Sequence, residues 1–153
     1  MKKKLPYIIS IAVTLAAGGM SALIVKDSFG VYSMLEKPFA APPPAVFPIV
    51  WTVLFVLMAV SAALVYTSEC ENRSSLIELY FIQLIVNFIW PIIFFEWQMF
   101  LASFIWLILL WVLIVIMMIL FFMCRKTAGY LLIPYLVWVT FAGYLNFFIY
   151  LMN

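Results

Sequence analysis

The side chains best suited to chemistry in this chain of 153 residues are aromatic rings and amides at helical spacing. Three pairs recur about one helical turn apart: Trp51 with Phe55, Asn87 with Trp90, and Trp138 with Ala142. Such a set suits a large, flat, apolar ligand that carries a few polar groups. A helix bundle packed by its own aromatics would have the same composition, and the residues alone leave both interpretations open.

Most catalytic chemistry is excluded by what the chain lacks. It contains no histidine, so the commonest acid–base residue and the commonest haem ligand are missing, and a zinc site is not expected. Glu78 and Glu96 lie near the two ends of one predicted helix, and no charged residue lies at mid-membrane depth. A hydrolase and a proton-coupled exporter are therefore disfavoured.

The composition predicts an integral membrane protein, because 69% of the residues are hydrophobic and only 9% are charged. Long apolar runs without two-residue alternation predict spanning helices rather than a barrel. We expect an all-α bundle of five transmembrane helices in a single domain covering 1–153, with helices at about 5–25, 44–66, 76–95, 100–123 and 128–151. The net charge of +2 gives no reason to expect nucleic acid as a partner.

The first connection, 26–43, is termed the lid loop. Five of the eight prolines lie between positions 38 and 48, which predicts a stiff, extended segment over 37–44. Its aromatic residues, Phe39 among them, indicate that it folds back onto protein. Phe47, Trp51 and Phe55 then recur at one-turn spacing at the start of the second helix.

Two predicted helices carry polar stripes. Gln83 and Asn87 lie on one face of the third helix and should face the interior, either pairing with other helices or meeting a ligand. Pro91 should kink that helix beside Asn87. The fifth helix carries Tyr135, Trp138, Ala142 and Asn146 on one face, and Ala142 would leave space there.

The other two helices are predicted to serve packing. Ser10, Thr14, Gly18, Ser21 and Ala22 give the first helix a face of small and hydroxyl side chains that allows close approach. The fourth helix is expected to be peripheral, with Trp106 and Trp111 facing lipid or packing.

The orientation follows from the distribution of Lys and Arg. One side carries Lys2, Lys3, Lys4, Arg73, Arg125 and Lys126, whereas the lid side carries Lys26 and Lys37. The N-terminus is therefore expected to face the cytoplasm. We expect Cys70 and Cys124 to lie at loop edges on that side and to stay reduced, without a disulfide framework.

Three stretches resemble the translocator protein family, also called tryptophan-rich sensory proteins or peripheral-type benzodiazepine receptors. They are KPFAAPPPAVFPIVWTVLFVLM, ELYFIQLIVNFIWPIIFF and PYLVWVTFAGYLNFFIYLMN, in the order of the chain. The resemblance implies a five-helix bundle, usually dimeric, that binds porphyrins, sterols and synthetic isoquinoline or benzodiazepine ligands in a pocket under the first loop. It also implies a bacterial-type member, in a bacterial cell membrane. It implies that Tyr32 and the Pro42–Pro43 segment close this pocket.

Pattern and resemblance together predict one ligand-binding set: Tyr32, Pro42, Pro43, Phe47, Trp51, Phe55, Gln83, Asn87, Trp90, Pro91, Tyr135, Trp138, Ala142 and Asn146. The expected function is a membrane receptor or sensor for porphyrin, linked to tetrapyrrole and oxidative-stress control, with no resident cofactor. The alternatives are a transporter of such ligands and a light-dependent porphyrin-degrading enzyme in which Trp51 and Trp138 would be catalytic.

Two departures from the family pattern affect the expected contacts. Phe39 stands where many members have tryptophan, so the packing of the lid loop should differ. No basic residue follows Tyr150, so the sterol-recognition pattern of animal members is absent, and sterol is not expected among the membrane lipids that this chain contacts.

Overall fold

The computed structural model describes residues 4–153, which form helices and loops without a strand. The helices are α1 (Leu5–Val25), α2 (Val31–Met34), α3 (Val46–Tyr66), α4 (Arg73–Pro91), α5 (Phe100–Cys124), α6 (Lys126–Leu131) and α7 (Ile133–Met152), with a π-helical turn at Ile92–Glu96. Five segments are long and apolar enough to cross a membrane, with α4 and its π turn forming one and α6 with α7 forming another. The five-helix membrane fold is confirmed.

Helix α1 packs against α3 and α4 through its small and hydroxyl residues. The Ser10 hydroxyl donates to the Ala59 carbonyl at 2.7 Å, and the Ser21 hydroxyl donates to the Phe88 carbonyl at 3.0 Å. The Thr14 and Tyr80 hydroxyls lie 2.6 Å apart. The prediction that this face serves close helix packing is confirmed.

Proline accounts for the two irregular helices. Pro91 has no N–H to give to the Asn87 carbonyl, and the chain continues directly into the wider π-helical turn at Ile92–Glu96. Pro134 follows the break between α6 and α7 and lies in the first turn of α7, where its missing N–H costs nothing. The kink predicted beside Asn87 is thus a change of helix type.

Helix α5 makes more specific contacts than its uniform composition indicated. The Trp106 indole donates to the Val86 carbonyl on α4 at 2.8 Å. The Trp111 indole donates to the Thr140 hydroxyl on α7 at 2.8 Å. Trp106 is therefore a packing residue, whereas Trp111, which is 39% exposed, both contacts α7 and lies on the outer surface of the bundle.

The prediction for the cysteines was wrong. Cys70 and Cys124 form a disulfide bond with their Cα atoms 5.6 Å apart. The α3–α4 loop brings Cys70 to Cys124 at the end of α5. The two cysteines are 54 residues apart in sequence, so no local pattern predicts their contact. The bond lies at the same end of the bundle as the start of α1. The predicted orientation would place it in the cytoplasm, where thiols are normally kept reduced.

The structure describes only some of the basic residues on which the predicted orientation depends. Lys2 and Lys3 lie outside the described residues, whereas Lys4 immediately precedes α1. The orientation remains a prediction.

Candidate functional site

A cavity with a volume of about 460 Å³ lies between α1, the lid loop, α3 and α4. Its walls are mainly apolar and aromatic, with Asn87 and Lys26 among the few polar groups. This size and lining are typical of a site for a small organic molecule. The lining residues are Leu15, Gly18, Gly19, Ser21, Ala22, Val25, Lys26, Phe29, Phe47, Pro48, Trp51, Thr52, Phe55, Asn87, Trp90, Pro91 and Phe95.

The aromatic wall comes from α3 and α4. Residues four apart on a helix share one face, so Phe47, Trp51 and Phe55 all reach this cavity. The Trp51 ring lies 5.5 Å from Phe55 and 6.5 Å from Trp90, measured between ring centroids. The result is a continuous aromatic surface suited to the face of a flat ligand.

The wall from α1 was not predicted to meet a ligand. Gly18 and Gly19 lie side by side in the middle of this helix. A β-carbon on Gly18 would overlap the Phe55 ring, whereas a β-carbon on Gly19 would meet only open space. Gly18 therefore brings α3 close, and Gly19 keeps the cavity wide. The available signal was the glycine pair itself, since glycine inside a helix needs a packing or functional reason.

A buried network of amides and a phenol lies beside the cavity. The Asn87 amide donates to the Tyr135 hydroxyl at 2.7 Å, and that hydroxyl donates to the Gln83 side-chain carbonyl at 2.8 Å. Within residues 4–153, the buried Gln83 amide nitrogen has no hydrogen-bond partner. Asn87 gives one of its two N–H groups to the bundle, which leaves the other N–H and the carbonyl oxygen for a ligand. Interhelical pairing, one of the two predicted roles, is confirmed for both amides.

Asn146 belongs to a second network that joins three helices. Its carbonyl accepts from the Trp90 indole at 3.2 Å and from the Ser103 hydroxyl at 3.0 Å. Its amide donates to the Phe100 carbonyl at 2.8 Å. Asn146 therefore fixes the Trp90 ring that lines the cavity and acts as a support rather than as part of the wall.

The lid loop is held by hydrogen bonds at several points. The Tyr32 hydroxyl donates to the Pro42 carbonyl at 2.9 Å, and the Lys37 ammonium donates to the Tyr32 carbonyl at 2.7 Å. Glu36 and Asn153 exchange two hydrogen bonds, both 3.0 Å long, which tie the lid loop to the end of α7. Burial raises the pKa of the Tyr32 phenol, so it keeps the proton that it donates.

The lid loop folds back onto protein as predicted, through Phe29, Tyr32 and Leu35, but the expectation for Phe39 was wrong. Phe39 does not fold back onto protein, because its side chain is fully exposed. It lies in a turn within the segment that was predicted to be extended, and the prediction also missed the short helix α2. Tyr32 on α2 supplies the buried aromatic contact instead.

The fifth spanning segment offers less open space than Ala142 suggested. Ala142 and Asn146 border a gap of only about 20 Å³, shared with Tyr32, Phe47 and Trp90. Trp138 packs edge-on against Phe47 at 5.9 Å, and its indole nitrogen is buried without a partner. The rings of Tyr32 and Phe47 fill the space that Ala142 leaves.

Known proteins match this chain over nearly its whole length. A model of the TspO/MBR family matches residues 10–151. The tryptophan-rich protein TspO of Chlorobaculum tepidum is 39% identical, with 99% of this chain and 98% of that protein covered. The TspO of Archaeoglobus fulgidus is 36% identical, with 97% of each chain covered. The protein CrtK of Rhodobacter capsulatus is 34% identical, with 90% of this chain and 86% of that protein covered.

The chain belongs to the TspO/MBR family. The resemblance read from the three sequence stretches is therefore confirmed, and so is the membrane location that the five apolar helices indicate.

The predicted ligand-binding set of this TspO/MBR protein divides into two groups. Six members line the main cavity: Phe47, Trp51, Phe55, Asn87, Trp90 and Pro91. The others lie beside or behind it: Tyr32, Ala142 and Asn146 at the small gap, Gln83 and Tyr135 in the amide network, Trp138 against Phe47, and Pro42 with Pro43 in the lid loop. The predicted catalytic pair is split by this division, since Trp51 lines the cavity and Trp138 does not.

Proposed function

We propose that this protein is a membrane receptor or sensor that binds a porphyrin in the cavity between α1, α3 and α4. The observation that supports this most is the aromatic surface formed by Trp51, Phe55 and Trp90 in a cavity of about 460 Å³. A flat macrocycle can place its face against such a surface, and aromatic pairing adds specificity to apolar burial. A sensory role agrees with a relative in Cereibacter sphaeroides, 34% identical, that is called a tryptophan-rich sensory protein.

The polar groups of the cavity complement the polar groups of a porphyrin. Asn87 adds a polar side chain to the cavity wall, and it can hydrogen-bond to a polar substituent at the edge of the macrocycle. Porphyrin carboxylates need a cation at the water boundary, and Lys26 lies on the cavity wall where α1 passes into the lid loop. The same arrangement would accept a synthetic aromatic ligand without carboxylates, with Lys26 unused.

Calorimetric titration with protoporphyrin in the dark tests this proposal. We expect saturable binding to the detergent-solubilised protein, weakened about tenfold in Trp51→Ala, because a stacking surface is removed. Trp97→Ala is the matched control, since Trp97 is exposed and does not line the cavity. Absence of saturable binding, or equal weakening in both variants, would contradict the proposal.

A further inference from the structure

A second cavity opens at the other end of the bundle. It lies between α1, α3 and α4 near Leu5 and Tyr66 and has a volume of about 390 Å³. We call it the N-end groove. Its walls are apolar apart from the hydroxyls of Ser10, Thr14, Tyr66 and Tyr80. Those of Ser10, Thr14 and Tyr80 are engaged in hydrogen bonds within the bundle. The groove therefore offers its occupant a mainly apolar surface.

The groove opens on the outer surface of the bundle, where a spanning protein meets the hydrocarbon of the bilayer. Its walls include side chains that are exposed along the outside of the bundle, such as Ile9, Val13 and Phe81. Along α1 it extends from Leu5 to Thr14, which is about 14 Å at 1.5 Å per residue. One leaflet of a membrane is about 15 Å of hydrocarbon, half of the usual thickness. The groove thus has the depth of one lipid acyl chain.

The mouth of the groove carries a cation at the level expected for lipid headgroups. Arg73 lies one turn before Ile77 on α4, and Ile77 lines the groove. The Arg73 guanidinium lies 5.6 Å from the centre of the Tyr66 ring. One of its nitrogens donates to the Tyr66 and Ser68 carbonyls at 3.3 and 3.4 Å, which leaves other donors for an anion.

Lys4 adds a second positive charge at the same end, directly before the groove residues Leu5 and Pro6. Exposed acidic residues also lie at this end. Glu71 precedes Arg73 by two residues in the α3–α4 loop, and Glu78 follows Ile77 on α4 and is turned about 100° away from it around the helix.

We propose that the N-end groove binds one anionic phospholipid, with an acyl chain along α1 and its phosphate at Arg73. Basic residues beside a crevice between spanning helices are the usual recognition element for anionic headgroups. This lipid site is separate from the porphyrin cavity and does not depend on it.

Native mass spectrometry of the full chain tests the charge part of the proposal. The protein is given equal amounts of dioleoyl phosphatidylglycerol and dioleoyl phosphatidylcholine, which differ in net charge. We expect one retained lipid per chain, with phosphatidylglycerol favoured about fivefold. Arg73→Gln should abolish the preference, whereas Arg125→Gln, at the same end of the bundle but outside the groove, should keep it.

The claim that an acyl chain lies in the N-end groove is tested by filling the groove with a larger side chain. Val13 and Val112 are each 42% exposed, and only Val13 lines the groove, so Val13→Trp and Val112→Trp form a matched pair. We expect Val13→Trp to lose the retained lipid and Val112→Trp to keep it. Equal retention of the two lipids by the native chain, or full retention in Val13→Trp, would overturn the proposal. So would a change in the number of protomers in Val13→Trp without lipid loss, because a second copy would then cover the groove.

Discussion

The two ends of this bundle are held together by different means. At the lid end, side-chain hydrogen bonds fasten the lid loop, including the pair between Glu36 and Asn153. At the other end, a covalent bond between Cys70 and Cys124 joins the α3–α4 loop to α5. Exposed hydrogen bonds of this kind contribute about 0.5 kcal/mol each and reopen readily, whereas a disulfide does not. The lid end is thus the end that opens more readily.

The largest expected effect on stability comes from the covalent end. Changing both Cys70 and Cys124 to serine should lower the free energy of unfolding by roughly 2–4 kcal/mol, since the bond closes a long loop in the unfolded chain. Unfolding in a denaturing detergent measures this loss. Porphyrin affinity should stay within twofold, because neither cysteine lines the cavity. A large loss of affinity would show that the two ends are coupled.

The same bond gives a test of orientation. The charge count predicts that Cys70 and Cys124 face the cytoplasm. After reduction, a membrane-impermeant maleimide should label them in broken cells and not in intact cells. Labelling of intact cells would place the disulfide on the outer face and invert the predicted orientation.

A smaller loss of stability is expected between the two ends, in the amide network. Tyr135→Phe removes the hydroxyl that joins Asn87 to Gln83 and should lower stability by about 1–2 kcal/mol. Tyr130→Phe, on an exposed side chain, is the control and should change little. Equal stability of the two variants would show that the hydrogen-bond network does not contribute to the stability of the fold.

Lys26 at the lid end should have a modest effect on ligand binding. Lys26→Gln should weaken protoporphyrin binding by about two- to fivefold and leave its dimethyl ester unaffected, because only the free acid carries carboxylates. Lys126→Gln, at the opposite end of the bundle, is the matched control. Equal weakening of the acid and the ester would mean that Lys26 acts on the shape of the cavity.

The smallest effect should come from the tether of the lid loop. Asn153→Ala removes both hydrogen bonds to Glu36, worth about 1 kcal/mol together in an exposed position. Amide hydrogen exchange should accelerate a few-fold over 31–42, with no change at the disulfide end. Unchanged exchange would show that the Tyr32 and Lys37 contacts hold the lid loop without this tether.

The sequence predicted the parts of this structure that depend on composition and helical periodicity. The five spans, the interior face of Gln83 and Asn87, and the aromatic row from Phe47 to Phe55 all follow from residue spacing. Pairing between distant segments could not be predicted in the same way. The disulfide, the contact of Glu36 with Asn153 and the filling of the space beside Ala142 by Tyr32 are such cases.

The wall from α1 is the instructive omission in the predicted site. Small residues at helical spacing predict close packing, which is correct for Gly18 against Phe55. Small side chains can also leave space for a cavity, as Gly19 and Ala22 do on α1. Spacing alone does not separate these roles, because the difference depends on whether a neighbouring helix fills the space.

The most direct test of the central claim, that porphyrin lies against α1, is to fill the cavity from that helix. Ala22 and Ala16 are both exposed residues of α1, and only Ala22 lines the cavity. In dark calorimetric titrations with protoporphyrin, Ala22→Trp should weaken binding at least about tenfold, and Ala16→Trp should match the native chain. Native affinity in Ala22→Trp, or equal loss in both variants, would contradict the account.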